Sequence, residues 1–233
     1  MVKSGAATAA LVELYSSEGC SSCPPADMAL RQLRQSLDAD AVLVPLALHV
    51  SYWDRIGWKD VFAQKIFDAR QTELLSHRNS RVAYTPQFFV NGVELRSWRD
   101  NLPDTIRQIN ARPAPLTITL TSMPAADNVL LEAQVSAVDP HVNGALYLAV
   151  SESALVSTVT RGENSGATLR HDNTARLWFG PIQLKQGTAR LSQQIKLPHD
   201  WRRQNLQAVA FVQDQGNVLQ AVSTAQCQPM RGL

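Results

Sequence analysis

Cysteine is scarce in this chain, with three in 233 residues. That is too few for a disulfide scaffold, and a chain of this length buries a core without one. The odd count also leaves one thiol without a partner inside the chain. Long apolar runs are missing too: the longest, residues 41–48 (AVLVPLAL), falls far short of the roughly 18 residues of a membrane span, so no membrane insertion is expected. Neither sign of charge dominates. With 22 basic against 20 acidic residues and a net charge of +2, nothing marks a nucleic-acid surface. The five histidines (His49, His77, His141, His171, His199) include no pair at zinc-site spacing, so no metal and no other cofactor is expected. The first residues, MVKSG, lack the apolar stretch of about 7–15 residues of an intact secretory signal. They read either as a cytosolic start or as the start of a chain whose signal was removed. Oligomeric state is not legible.

What the sequence does hold is a strand running into a dithiol. Residues 11–25, LVELYSSEGCSSCPP, pass from β-favouring residues through a polar turn to Cys20-Ser21-Ser22-Cys23 and then to a helical pattern. Two thiols three positions apart at a helix start can close a small ring. The free N–H groups and dipole of the helix start favour a thiolate at the first of them. A redox dithiol is the leading reading, with protein or small-molecule thiols and disulfides as partners. Two alternatives stay open: a structural disulfide in a secreted binding protein, and a soft-metal carrier in which the pair acts with His49.

Apolar residues at helical spacing place Ala26, Ala29, Leu30, Leu33 and Leu37 on one face of a helix over residues 24–37. Residues 41–48 follow as a strand buried on both faces, although Pro45 argues against a central position. Strand, helix, strand makes a parallel unit whose carboxyl ends share one edge of a sheet. His49, Tyr52 and Trp53 therefore belong near Cys20, as a substrate platform or a proton partner; the plainer alternative is a packed loop with His49 in the core. A helix over residues 61–76 follows. Asn91-Gly92 then joins two short apolar runs as a hairpin, entered through Thr85-Pro86, where the proline fits a cis bond. Residues 97–112 close this part as a helix.

This order of elements, with C-x-x-C opening the first helix and Thr-Pro before the hairpin, resembles the thioredoxin fold. The resemblance implies that Cys20 is the nucleophile, Cys23 the resolving thiol and Pro86 the cis-proline of the substrate groove. It also implies that Glu13 approximates the buried acid that moves the resolving thiol's proton, where an exposed strand residue is the alternative. VELYSSEGCSSCPPAD, HVSYWDRIGWKD, YTPQFFVNG and GENSGATLRHDN together resemble DUF1223, a thioredoxin-like, commonly secreted bacterial family of unknown function. That likeness implies a periplasmic or secreted protein whose signal peptide is absent from this chain. Departures from thioredoxins are visible: no Trp precedes Cys20, the inner pair is Ser21-Ser22, and Glu18 puts a negative charge beside the thiols. The expectation is a mild nucleophile.

After the connector ARPAP (residues 111–115), period two replaces period 3.6. Leu116, Ile118 and Leu120 alternate with threonines; Val129, Leu131, Ala133 and Val135 alternate with polar residues. Further strands are expected over residues 145–150, 176–181, 189–197, 207–213 and 218–225. The expected architecture is an α/β thioredoxin-like domain (1–112, with a helical insertion around 53–80) followed by an all-β antiparallel sandwich (113–233). Residues 161–176, RGENSGATLRHDNTAR, form a long polar loop. It is expected either to fold over the dithiol and deliver His171, or to stand as a hairpin held by its own side chains. Cys227 reads as a free thiol or an intermolecular partner.

Overall fold

The structure, a computed structural model, describes residues 1–125 and 128–227, the last two of these by backbone alone. The expectation for the Cys227 thiol therefore lies outside the described residues. Short β1 (Val2–Lys3) precedes β2 (Ala10–Ser16), whose seven residues are all buried. After α1 (Pro24–Gln32) comes β3 (Leu43–His49), parallel to β2 in a register that sets Ala10 against Leu43 and Ser16 against His49. α2 (Lys65–Ser76) leads to β4 (Gln87–Val90) and β5 (Val93–Glu94), a hairpin whose Asn91 and Gly92 both take positive φ, as an Asn-Gly turn requires. β4 runs antiparallel to β2, and α3 (Trp98–Asn110) follows.

Pro45 does sit mid-sheet. Alternate residues of a strand donate to opposite neighbours, and Ala47 donates to Asn173 on the side away from β2 (2.9 Å). Pro45, two residues earlier, faces that same side. Its neighbour there pairs only at Thr174–Ala47, so no ladder bond is lost.

The remaining strands are β6 (Leu116–Pro124), β7 (Asn128–Ala137), β8 (Ala145–Glu152), β9 (Leu155–Thr158), β10 (Thr168–His171), β11 (Thr174–Gln183), β12 (Thr188–Lys196), β13 (Leu206–Asp214) and β14 (Asn217–Ser223). They stack in two layers, a sandwich-like all-β part, but not as a unit separate from the first half. β11 pairs antiparallel with β8 and meets β3 in parallel, which joins both halves of the chain in one mixed sheet of order β14-β13-β8-β11-β3-β2-β4-β5. The second layer is β1-β6-β7-β12, and β9–β10 is a separate hairpin. The open edge of β3 explains the join, because unpaired strand edges recruit partners.

Four apolar fillings follow from strand alternation, one of them Tyr15, Leu48 and Phe89 against Phe67 and Leu74 of α2. Val12, Leu14, Ala47, Phe88 and Val90 pack under α1 and α3. Leu11, Val44 and Leu46 point the other way, onto Tyr147, Ala149, Val209 and Phe211 of the same curled sheet. Leu146, Leu148, Ala210 and Val212 face the second layer through Ile118, Leu120, Leu131 and Leu191. The curl brings β14 back to β2. Val218 N–H donates to the Asn91 carbonyl (3.2 Å), and Gln220 accepts from Ala9 N–H (2.8 Å) while donating to the Gly5 and Ala7 carbonyls (3.1 and 3.0 Å). Among the described residues, no helix is long and apolar enough to cross a membrane.

Candidate functional site

β2 ends at Ser16 and the chain turns at once. Cys20 N–H donates to the Ser17 carbonyl (3.1 Å), Cys23 N–H to the Cys20 carbonyl (3.2 Å), and α1 begins on Pro24. The prolines suit a first turn whose N–H groups have no helical partner. Cys20 and Cys23 form a disulfide, their Cα atoms 5.4 Å apart. The dithiol is not open to solvent, as a substrate groove would require: both residues are 0% exposed.

The cover comes from the polar stretch after β9. Asn164 Nδ2 donates to the carbonyls of Glu18 (2.8 Å) and Cys20 (3.0 Å), and Ser21 N–H donates to the Glu163 carboxylate (3.0 Å). On the other flank, Gly19 faces Trp53, leaving room for a Cβ only at 3.5 Å from that of Trp53. The long loop therefore does fold over the dithiol edge, clamped by side-chain bonds to the turn's backbone.

Beneath this cover lies a cluster of buried ionisable groups. His49 Nδ1 stands 2.7 Å from Asp60 Oδ2, and both side chains are inaccessible. Burial alone lowers the pKa of His49, but the Asp60 carboxylate overrides it and holds the imidazole up at about 9. Burial likewise raises Asp60, yet the charge and hydrogen bond of His49 bring it below the usual range, helped by N–H donors from Glu18 and Phe62. Glu18 behaves similarly. Burial raises it, while hydrogen bonds from His171 (3.1 Å) and Trp58 Nε1 (2.8 Å) pull it down. An ionised Glu18 only accepts, so His171 Nε2 carries the proton. The two imidazoles meet edge to face with centroids 5.0 Å apart, and Phe62 closes against both.

Asp27, one turn into α1, completes the group. Part of the residue lines a small groove with Arg31 and Arg170, but its Oδ1 is enclosed and accepts no close hydrogen bond from the protein. Burial raises its pKa against the lowering by His49, His171 and the Ser16 hydroxyl. Ser16 Oγ, His49 Nε2 and His171 Nδ1 are also enclosed and make no close hydrogen bond. Among the described residues, no three His, Cys, Asp or Glu side chains converge to hold a metal ion.

The expected site residues thus separate. Cys20, Cys23, His49, Trp53 and His171 gather at one sheet edge. Thr85-Pro86 is cis, and one register step beyond Tyr15–Gln87 places Pro86 alongside Ser16, at the same end of β2. Tyr52 is drawn elsewhere: its hydroxyl bonds Gln71 of α2 (3.2 Å), and burial pushes its pKa up to about 12.

Glu13 is neither a proton acceptor for Cys23 nor an exposed strand residue. It lies on the sheet face opposite α1, where Arg70 Nε and Nη2 grip its carboxylate (2.9 and 3.2 Å). Arg70 also bonds Gln213 (2.6 Å) and sits over Tyr147, Trp178 and Phe211 at 5.1–5.3 Å. The repulsion expected from Glu18 is likewise met, because His171 and Trp58 compensate its charge.

Asp27 and Asn164 escaped the reading of the sequence. For Asp27 a signal existed: it stands four residues after Cys23 and next to the buried Ala26, the position of an inward polar group.

Comparison with known proteins agrees with this picture at the level of fold. A structurally determined protein of Agrobacterium tumefaciens is 21% identical, with a TM-score of 0.64 over 94% of this chain and 95% of its own. HBP35 of Porphyromonas gingivalis is 15% identical, with a TM-score of 0.74 over 98% of this chain and 79% of its own. No curated protein matches. Residues 11–213, from within β2 to the penultimate residue of β13, match one family along their whole length, and the chain belongs to it: the protein of unknown function family DUF1223.

Proposed function

We propose that the chain is a gated thiol–disulfide oxidoreductase of thioredoxin-like build. Residues 1–112 form the redox unit, and residues 113–233 supply its cover. Cys20 exchanges with a thiol or disulfide, Cys23 closes or leaves the ring, and Pro86 borders the groove that opens when residues 159–171 lift. The parallel β2–α1–β3 unit and the β4–β5 hairpin, entered through Thr85-Pro86, support the thioredoxin-like reading. The intact disulfide supports a periplasmic or secreted setting.

One observation carries the proposal: His49–Asp60 and Glu18–His171 pairs are buried beside the dithiol. Buried charges and the polar groups that hold them rarely repay their desolvation as stability, and clustered perturbed groups mark sites of chemistry. A staple explains them poorly, since a ring this short stabilises a fold by only about 2 kcal/mol in the chain-entropy account.

Complete burial of both cysteines favours the second reading, a permanent staple in a binding protein. Reduction kinetics separate the two. Gated exchange expects dithiothreitol to open the disulfide under native conditions faster than the protein unfolds globally. It also expects turnover in an insulin-reduction assay that disappears in Cys20→Ser. A staple opens only at the global unfolding rate and shows no turnover.

A further inference from the structure

Ring opening expels a sulfur into a buried site, and a thiolate there needs a proton. The group that resemblance nominates, Glu13, faces the other side of the sheet and is committed to Arg70. The α1 side offers one carboxyl group placed for the task. Asp27 N–H donates to the Cys23 carbonyl (3.1 Å), so the two residues stand one helical turn apart. Side chains four apart on a helix are neighbours, with Cβ atoms about 5–6 Å apart. Asp27 Oδ1 is enclosed and makes no close hydrogen bond, with the Ser16 hydroxyl as its neighbouring donor.

Resting on the exchange reading above, we propose that Asp27 is the proton-handling residue for Cys23. A thiolate RS⁻ attacks Cys20 Sγ, the Cys20–Cys23 bond breaks, and Cys23 departs with the electron pair. The Asp27 carboxyl delivers its proton to that sulfur and becomes a carboxylate. A second thiolate then attacks the sulfur of R in the mixed disulfide and leaves as R–S–S–R. Cys20 takes up a proton from water, Asp27 is reprotonated, and the dithiol remains. Two thiols are oxidised and one protein disulfide is reduced.

The surroundings suit a group that gains and loses a proton. Burial favours the neutral carboxyl. His49 on β3 and His171 on β10 favour the carboxylate once it forms, while Asp60, beyond β3, opposes it. Arg31 on the same helix and Arg170 on β10 line the groove with Asp27, and Glu18 in the preceding turn is held by His171. His171 comes from the cover, so closure of the cover also assembles the environment of the acid.

The test is the pH profile of ring opening by dithiothreitol, with each rate divided by the thiolate concentration, for wild type, Asp27→Asn and Asp27→Glu. Wild type is expected to lose rate as pH rises through the ionisation of Asp27. Asp27→Asn is expected to be slower at the acidic end by about 100-fold, the scale of a lost general acid, with a flat profile, and Asp27→Glu to regain the inflection. Thermal melts control for folding: Asp27→Asn removes a carboxyl that burial disfavours in its charged form and is expected to melt no lower than wild type near neutral pH. A wild-type profile in Asp27→Asn overturns the role of Asp27 while leaving exchange intact. A wild type that opens no faster than it unfolds overturns both.

Discussion

His49 shows how far one side chain can depart from what its position in a sequence conveys. A lone histidine after an apolar strand reads more readily as core than as chemistry. The structure makes it a buried cation whose partner, Asp60, stands eleven residues on, beyond a short 3-10 helix (Ser51–Ile56). That pairing has a measurable consequence. The folded value of about 9 lies above the ordinary histidine range near 6.5, so the stability it contributes is complete below about pH 6.5 and is lost as pH rises through 9. The shift corresponds to a loss on the order of 3 kcal/mol across that window. Asp60, held below its usual value, loses its own contribution only in acid. Urea denaturation at pH 6, 7.5 and 9.5 is expected to show wild-type stability falling over this series, with the fall flattened in His49→Gln. Parallel curves for the two proteins would count against a charged His49. Asp60 and Glu13 share a lesson: spacing shows that a carboxylate exists, whereas its partner is fixed by strand parity and by loops that only the folded chain brings together.

At the level of elements, periodicity made the helices and most strands legible. α1, α2 and α3 fall within the expected segments, and β6 to β8 and β11 to β14 lie where alternation placed them. The strands of the hairpin β9–β10 did not show, although a hairpin loop was one expectation for residues 161–176, and the reason is physical. β10 buries only Leu169 and His171 between exposed Thr168 and Arg170, so its alternation is too short and too charged to stand out from a polar loop. The stretch between these strands holds the cover, and the clamp can be loosened by one change. Asn164→Ala removes two hydrogen bonds to the Glu18 and Cys20 carbonyls. At about 1 kcal/mol or somewhat less for each bond, opening becomes easier by roughly 1–2 kcal/mol, a factor of about 5–30. Native-state reduction of the disulfide by dithiothreitol is expected to accelerate by that factor, with the melting temperature little changed. An unchanged reduction rate would mean that the cover does not gate the sulfurs.

The whole molecule departs most from its linear pattern in how the halves join. Alternation after residue 115 signals strands of a sandwich, but pattern records which face of a strand is apolar, not which edge it pairs with. The open edge of β3 and the apolar back of β2 take their partners from beyond residue 140, and the shared sheet curls until β14 meets the β4–β5 turn. That closure is tight at Gly92, where φ is +80° and an added Cβ would lie 1.7 Å from the Gly216 carbonyl oxygen. The obstacle is backbone held by hydrogen bonds on either side, including Val218 N–H to the Asn91 carbonyl, so it cannot yield as a flexible side chain would. Gly92→Ala therefore combines an unfavourable backbone conformation with a forced separation of the closing strands. The expected loss is about 2–4 kcal/mol, in the upper part of the range for single substitutions. For a chain of this size that lowers the melting temperature by roughly 4–16 °C. Because Leu11, Val44 and Leu46 of the first half are covered by Tyr147, Val209 and Phe211 of the second, neither half keeps its core once the closure fails. Tryptophan fluorescence and far-UV circular dichroism are thus expected to report one coincident transition in wild type and in Gly92→Ala, shifted in the variant. Two separated transitions in wild type would show halves that stand independently, and the shared sheet would then not be what holds the fold.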